Sequence, residues 1–311
     1  MNVYLTENDV LALLPMTRAI ELVEDAFRQM TAGTAINHPR RRVVLPTGSV
    51  LHYMAAGMPP YFGIKVYSTN PKTGAHFQVL LFRSEEGLPL ATIEANHLGQ
   101  IRTGAATGAA TKHLAREGAS VLGVIGSGFQ AETQIEAIAN VRKLREIRVW
   151  SRSAEKREAF SRRCSDKFEL NVKGASSAQA CVDGADIVVT ATSAREPVLE
   201  AAWISPGAHV NAAGSNWANR RELPGDLIFE RASLVAVDSL EVASLESGDI
   251  LIPMREMSLS SSPAVEIGDI IAGRIPGRTR PDQITIFKSN GLAVEDIAVA
   301  GFIYEAALRS G

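Results

Sequence analysis

Residues Gly126-Ser127-Gly128-Phe129-Gln130-Ala131 follow directly on the apolar run Val121-Leu122-Gly123-Val124-Ile125. The spacing is G-x-G-x-x-A at a strand-to-helix junction, which suits a bound diphosphate. Gly126 permits the tight turn, Gly128 lets a pyrophosphate approach the backbone, and Ala131 lets helix and strand pack closely. The free N–H groups and positive dipole end of the helix then face the phosphates. Glycines are also common in plain strand-to-helix turns. A strand before, a helix after and a second strand at the expected distance favour the dinucleotide reading. At the end of that second strand a carboxylate commonly binds the ribose hydroxyls. Here the chain reads Trp150-Ser151-Arg152-Ser153, with Lys156 and Arg157 following. A hydroxyl beside a guanidinium matches a 2′-phosphate, so NADP(H) is expected over NAD(H). The alternative is that Arg152 and Lys156 belong to a solvated helix face.

These groups need a scaffold, and the chain reads as two parts. With 311 residues, two cores are expected rather than one. Thr6 with Asp9 reads as a capping box, Pro15 suits the start of a second helix, and Ala19, Val23, Ala26, Phe27 and Met30 keep helical spacing up to Gly33. Extended runs follow at 42–45, 51–54, 63–67, 77–82 and 90–93, with Glu85-Glu86-Gly87 as a hairpin turn. Strands in such succession imply a mixed or antiparallel sheet. From about Gly118 strands and helices alternate: strands at 121–125, 147–150, 187–190, 209–212, 234–237 and 284–288, and helices from about Gln130 and around 154–164. That alternation implies a doubly wound parallel α/β sheet of Rossmann type, beside a second α+β domain. The expected division is 1–116, joined by a C-terminal helix at 292–311, and a nucleotide domain at 117–291. The last helix carries Ile297, Ala300, Gly301 and Tyr304 on one face and is expected to pack back on the first part.

A net charge of −2 offers nothing to nucleic acid or an anionic membrane, and every apolar stretch is broken before it spans a bilayer. Two cysteines, Cys164 and Cys181, are too few for a disulfide framework, and residues Met1 to Val10 lack a basic start followed by an apolar run, so no signal segment is expected. A cytoplasmic enzyme of small molecules is the expectation.

Four blocks carry a resemblance: Gly63-Ile64-Lys65-Val66, Gly99-Gln100-Ile101-Arg102-Thr103-Gly104, Val210-Asn211-Ala212-Ala213-Gly214 and Phe287-Lys288-Ser289-Asn290-Gly291-Leu292-Ala293-Val294-Glu295-Asp296. In order and content the chain resembles the ornithine cyclodeaminase/mu-crystallin family. The resemblance implies a homodimer built through the N-terminal sheet, with the active site in the cleft between domains. It makes Lys65 the substrate-contacting lysine and Arg102 the arginine that holds a substrate carboxylate. A further carboxylate-binding arginine falls in Arg40-Arg41-Arg42; ungapped spacing selects Arg41, and a different loop length selects Arg42. Thr103, Thr190, Ala191, Thr192, Gly214 and Gly291 complete the candidate cofactor set. A guanidinium fork pairs well with a small carboxylate, and it would lower the pKa of a nearby lysine. Against these roles, Lys65 could face solvent and the arginine cluster could be a basic sheet edge.

Two departures bear on the reaction. Cyclodeaminases of the family carry a proton-transferring aspartate where this chain has Asn216, and a glutamate reaching the distal amine where it has His52. An amide orients but cannot exchange a proton near neutral pH. Reducing a protonated cyclic ketimine needs chiefly a held carboxylate and an aligned carbon. The expected activity is therefore reduction of a cyclic 2-carboxy imine, or a related amino-acid dehydrogenation, on a small carboxylate substrate. Lys65, Asn216 and His52 are the candidate catalytic residues, and no metal is expected. Ornithine cyclodeamination with relocated acid–base chemistry, using His52 or Glu222, is the alternative; a small-ligand binding protein with negligible turnover is the second. His113 and His209 read as structural.

Overall fold

The computed structural model describes residues 3–310, which divide into two compact units. Of the described residues, the first comprises 3–106 with 291–310, and the second Thr107–Asn290.

The first unit opens on a short strand, β1 (Val3–Leu5), before helices α1 (Glu7–Leu13) and α2 (Met16–Ala32). The expectation that the chain begins with helices is thus corrected. Three residues have no periodicity to read, and β1 exists because it pairs in parallel with a later strand. The capping box is present: the Thr6 hydroxyl accepts from the Asp9 amide, and the Asp9 carboxylate accepts from the Thr6 amide. Pro15 stands at the N-cap of α2, and Gly33, at φ 74°, ends that helix in the left-handed region. Then come β2 (Ile36–Asn37), β3 (Arg41–Val44), β4 (Val50–Met58), β5 (Tyr61–Asn70), β6 (Gly74–Arg83), β7 (Pro89–Glu94) and α3 (Asn96–Leu114), whose residues up to Ala106 belong to this unit. The sheet order is β1-β7-β6-β5-β4-β2, with β3 also on β4; only β1 with β7 is parallel.

The register of β3, β4, β5 and β6 sorts the site residues onto faces. Arg42 pairs with His52, His52 with Tyr67, Met54 with Lys65, and Lys65 with Val79, so these side chains share one face of the sheet. Val43, Leu51 and Phe62 take the opposite face and remain exposed.

The second unit is an eight-stranded sheet in which every pairing is parallel, in the order β10-β9-β8-β11-β12-β15-β13-β14. Its elements are β8 (Val121–Ile125), α4 (Phe129–Val141), β9 (Glu146–Trp150), α5 (Ala154–Phe168), β10 (Val172–Gly174), α6 (Ala178–Val182), β11 (Ile187–Thr190), β12 (His209–Ala212), β13 (Leu234–Val237), α7 (Leu240–Glu246), α8 (Gly248–Glu256), β14 (Ala264–Glu266), α9 (Ile267–Ile271) and β15 (Thr285–Lys288). All five residues of β8 are buried, as expected of a strand covered on both faces. One apolar cluster includes Ile125, Val188, Val210 and Ile286, and another Leu122, Val124, Ile135 and Phe160. On β8 Val121 and Ile125 enter the first cluster while Leu122 and Val124 enter the second, and on β11 Val188 opposes Ile187 and Val189, so the strands carry a core on each side of the sheet. Strand order reverses at β8, between β9 and β11, and such a switch point is where open α/β sheets bind ligands.

The chain closes with α10 (Ala293–Ser310), which packs against β4, β5, β6 and α2 in the first unit. A single apolar face was expected. Instead α10 is buried nearly all round from Ala293 to Tyr304, because it lies between the sheet and helices α1 and α2. The segment supplies that packing with Ala298, Val299, Ala300 and Ile303 alongside the expected residues.

Candidate active site

In the second unit the fingerprint glycines adopt the geometry their spacing implies. Gly126 closes β8 at φ 125°, and a Cβ there would stand 2.3 Å from the Ala191 carbonyl oxygen. No other residue type fits that turn without moving the backbone. Gly128 is the N-cap of α4, and a Cβ at Gly128 would meet nothing within 4 Å. That open approach to a helix N-terminus is what a diphosphate requires.

A cavity of about 1060 Å³ opens over these turns. Gly126, Ser127, Gly128, Ser151, Arg152, Ser153, Lys156, Ala191 and Thr192 all line it. The Ser127 hydroxyl donates to Ser151 Oγ at 2.9 Å, tying the glycine turn to the end of β9. Arg157 instead braces the loop from behind, its Nη1 donating to the Ser151 carbonyl at 3.0 Å. Arg152 and Lys156 are exposed. Two carboxylates, Glu196 and Glu200, also line this cavity, but from the segment after β11 rather than from the end of β9. A smaller cavity of about 300 Å³ shares Gly128, Ala191 and Thr192 and adds Phe129, Gln130, Gly214 and Asn216. Two adjoining spaces, a glycine turn with no room for side chains and an open helix N-terminus fit a nicotinamide dinucleotide. Such a group would supply hydride transfer. Thr190 lies at the end of β11 with its hydroxyl buried.

Glu222 holds these turns together. Its Oε1 accepts from the Thr192 amide and hydroxyl, both at 2.7 Å, and its Oε2 from the Gly214 amide at 2.7 Å. Behind it, Asp249 Oδ1 accepts the amides of Glu222 and Leu223, and Asp249 Oδ2 lies 3.3 Å from Lys288 Nζ. Burial pushes the Glu222 carboxyl up, and Asp249 adds to that, while Lys288 and Thr192 oppose it. A carboxylate with both oxygens committed to loop amides is poorly placed to exchange protons with a substrate. In the sequence Glu222 stands out only as a relocated acid–base group. Its latch role depends on loops 30 and 8 residues away in the chain, which no local pattern reveals.

The charged residues of the first unit form a separate cluster on its sheet. Lys65 is 3% exposed, so it does not face solvent. Its Nζ donates to Asp296 Oδ1 at 2.7 Å. Arg102, on α3, donates from Nε to the same oxygen at 3.1 Å and from Nη1 to Glu295 at 2.8 Å. Burial pushes Lys65 down to about 8, with Arg102 and Arg40 in the same sense and Asp296 opposing. Burial also acts to lower Arg102, but Asp296 and Glu295 outweigh it and the net shift is upward. Gly291 sits within this cluster, where its carbonyl accepts from Arg40 Nη2 at 3.3 Å. Thr103 follows on α3, and its hydroxyl donates to the Gly99 carbonyl at 2.7 Å.

Of the three consecutive arginines, Arg40 is buried, Arg42 half-buried and Arg41 exposed. Strand alternation puts Arg42 on the Lys65 face and Arg41 on the other. Ungapped spacing therefore selects the neighbour on the face opposite Lys65. A one-residue difference in register inverts the face, and residue counting along a loop cannot detect it. Arg40, which the sequence left among the three, is the buried one.

His52 stacks on Tyr67 with centroids 4.3 Å apart, and its Nε2 lies 3.1 Å from the Thr69 hydroxyl. Burial, then the Arg42 and Arg40 charges, lower it to about 4, so the ring is neutral at pH 7. His209 is likewise held by Thr285 and Asn211 within the second unit. Both cysteines are free and buried, and burial raises each thiol to about 12. Among the described residues no His, Cys, Asp and Glu grouping could hold a metal, and no helix is long and apolar enough to cross a membrane.

A parallel sheet with a dinucleotide turn at its switch point, joined in one chain to a unit carrying a buried lysine–arginine–carboxylate cluster, defines a class of nicotinamide-dependent oxidoreductases. The chain belongs to the ornithine cyclodeaminase/mu-crystallin family, whose sequence model matches residues 1–311. It is 36% identical to the Delta(1)-pyrroline-2-carboxylate reductase of Bacillus cereus over 318 aligned positions, covering 99% of this chain and 97% of the relative. Among solved structures, the Thermococcus litoralis Delta(1)-pyrroline-2-carboxylate reductase in complex with NADH and L-proline superposes with a TM-score of 0.94 at 35% identity, covering 99% of this chain and 98% of that one. An archaeal alanine dehydrogenase dimer with bound NAD superposes at 0.92 with 33% identity, covering 99% and 97%.

Proposed function

We propose that this chain is an NAD(P)H-dependent reductase of a small cyclic imine bearing a 2-carboxylate. The carrying observation is the buried cluster of the first unit, which we read as the substrate domain. Arg40, Lys65 and Arg102 are all buried there, and Lys65 and Arg102 pair with Glu295 and Asp296. A small carboxylate suits such a cluster, through the paired donors a guanidinium presents. We assign the carboxylate to Arg102, Lys65 and, in place of Arg41, Arg42. Relatives that act on pyrroline-2-carboxylate, and a relative's structure with proline bound, support the same class of ligand.

Cyclodeamination of a diamino acid is the weaker reading. Asn216 cannot titrate, His52 is neutral across the physiological range, and Glu222 is tied to two loops. The wild-type protein should therefore oxidise NADPH with five- or six-membered cyclic 2-carboxy imines, yet release little ammonia from ornithine. Asn216→Asp is expected to introduce measurable ammonia release, since an acid–base group typically contributes about a hundred- to ten-thousandfold. Robust ammonia release by the wild type, with no imine reduction, would reverse the assignment. A binding protein without turnover is disfavoured because apolar ligands need no buried Lys65 and Arg102; tight NADPH binding with no turnover across the imine panel would restore that reading.

For the cofactor we favour NADPH, on Ser151, Arg152, Ser153 and Lys156 at the cavity wall. Arg152→Ala should raise KM for NADPH by about ten- to a hundredfold, the loss of one charge-assisted contact of roughly 1.5–3 kcal/mol, and leave KM for NADH nearly unchanged. Equal effects on the two cofactors would remove the basis for the preference. The exposed Val43, Leu51 and Phe62 on the outer sheet face we assign to contact with a second copy. A solution mass by light scattering near twice 33.3 kDa is the expected result, and a mass near 33.3 kDa would contradict it.

A further inference from the structure

Asp296 has no part in the sequence-based assignment, yet both substrate-facing cations converge on it. It is fully buried in the first turn of α10. A single oxygen, Oδ1, takes the Lys65 ammonium at 2.7 Å and the Arg102 Nε at 3.1 Å, while Oδ2 is buried and makes no hydrogen bond. The other charges acting on Lys65 are cationic. Arg102 on α3 and Arg40 ahead of β3 both act to discharge it, and Phe77 on β6 lies 5.7 Å from Nζ. His52 on β4 is neutral, and Glu295 on α10 is engaged by Arg102. Asp296 is thus the carboxylate that opposes burial and two arginines at Lys65.

We propose that Asp296 is a positioning residue of this site, which fixes the Lys65 ammonium on the sheet face beside Arg102 and sets the pH range over which the site accepts a carboxylate. The inference rests on the carboxylate-binding reading above and deepens it. An opposite charge within hydrogen-bond distance stabilises the protonated amine, so its removal must move the loss of that proton to lower pH. Affinity for a carboxylate falls as Lys65 loses its proton, so the falling limb of binding against pH should follow.

The test is calorimetric binding of pyrrole-2-carboxylate, an unreactive planar carboxylate, to the NADPH-loaded protein between pH 6 and 10. Wild type should lose affinity as pH rises through about 8. In Asp296→Asn the limb should move down by about one to three pH units, and Asp296→Glu should return most of it. Lys65→Arg keeps a cation opposite Asp296 but removes the titration, so the limb should vanish from this range. NADPH affinity, measured in the same samples, should remain within about threefold of wild type in all three. An unmoved limb in Asp296→Asn overturns the proposal. A limb that persists in Lys65→Arg does so as well, even where the asparagine variant fails to fold. Because binding is read without turnover, absence of imine reduction would overturn the proposed activity and leave this inference standing.

Discussion

Replacing Arg102 with alanine is expected to abolish imine reduction and, in the same protein, to cost about 3–5 kcal/mol of stability. The sequence alone suggests a cleaner outcome, in which recognition fails and the fold is untouched. The structure changes that expectation, because Arg102 supplies two of the contacts that hold Asp296 and Glu295 in the interior. Removing it leaves two buried carboxylates with one fewer partner, and a buried charge without compensation costs more than the ion pair itself contributes. Arg102→Lys should recover part of the stability, since an ammonium still neutralises the carboxylates. It should recover little activity, since it cannot reproduce the guanidinium fork. Urea denaturation with a parallel rate measurement separates the two effects. An alanine variant as stable as wild type would show that α10 does not depend on this arginine.

Substitution of the two fingerprint glycines should divide folding from cofactor binding. Gly126→Ala forces an L side chain to φ 125° and puts its Cβ 2.3 Å from the Ala191 carbonyl oxygen, a backbone atom that cannot swing aside. Backbone strain of this kind costs about 1–3 kcal/mol before the clash is counted, so a fall in melting temperature is expected together with loss of NADPH binding. Gly128→Val differs. A Cβ there meets nothing within 4 Å, so the variant should melt within a few degrees of wild type. NADPH affinity should nevertheless fall by at least about a hundredfold, roughly 2.7 kcal/mol, because the added carbons occupy the approach of the diphosphate. Thermal melting and fluorescence titration of NADPH suffice. Tight NADPH binding by Gly128→Val would place the diphosphate elsewhere.

How much of this was legible in the sequence depends on the range over which each signal acts. The glycine turn, the parallel alternation after Gly118 and the Thr6 capping box are local: each is written within a few residues, and a buried strand such as Val121–Ile125 has no surface on which another pattern could compete. The family was legible for the same reason, through blocks that are contiguous in the chain. Tertiary structure alone decided the partners. Strand β1 exists by pairing with β7, far along the chain, and three residues carry no period. Arg42 rather than Arg41 shares a face with His52 because register, not spacing, sets the side of a strand. Asp296 lies 231 residues from Lys65, and Glu222 lies 30 from Thr192; their charges are visible in the sequence, but whom they face is not. Burial then sets their chemistry: the same lysine on a solvated strand would keep its ordinary pKa, and only enclosure beside Arg102 and Arg40 brings it down to about 8.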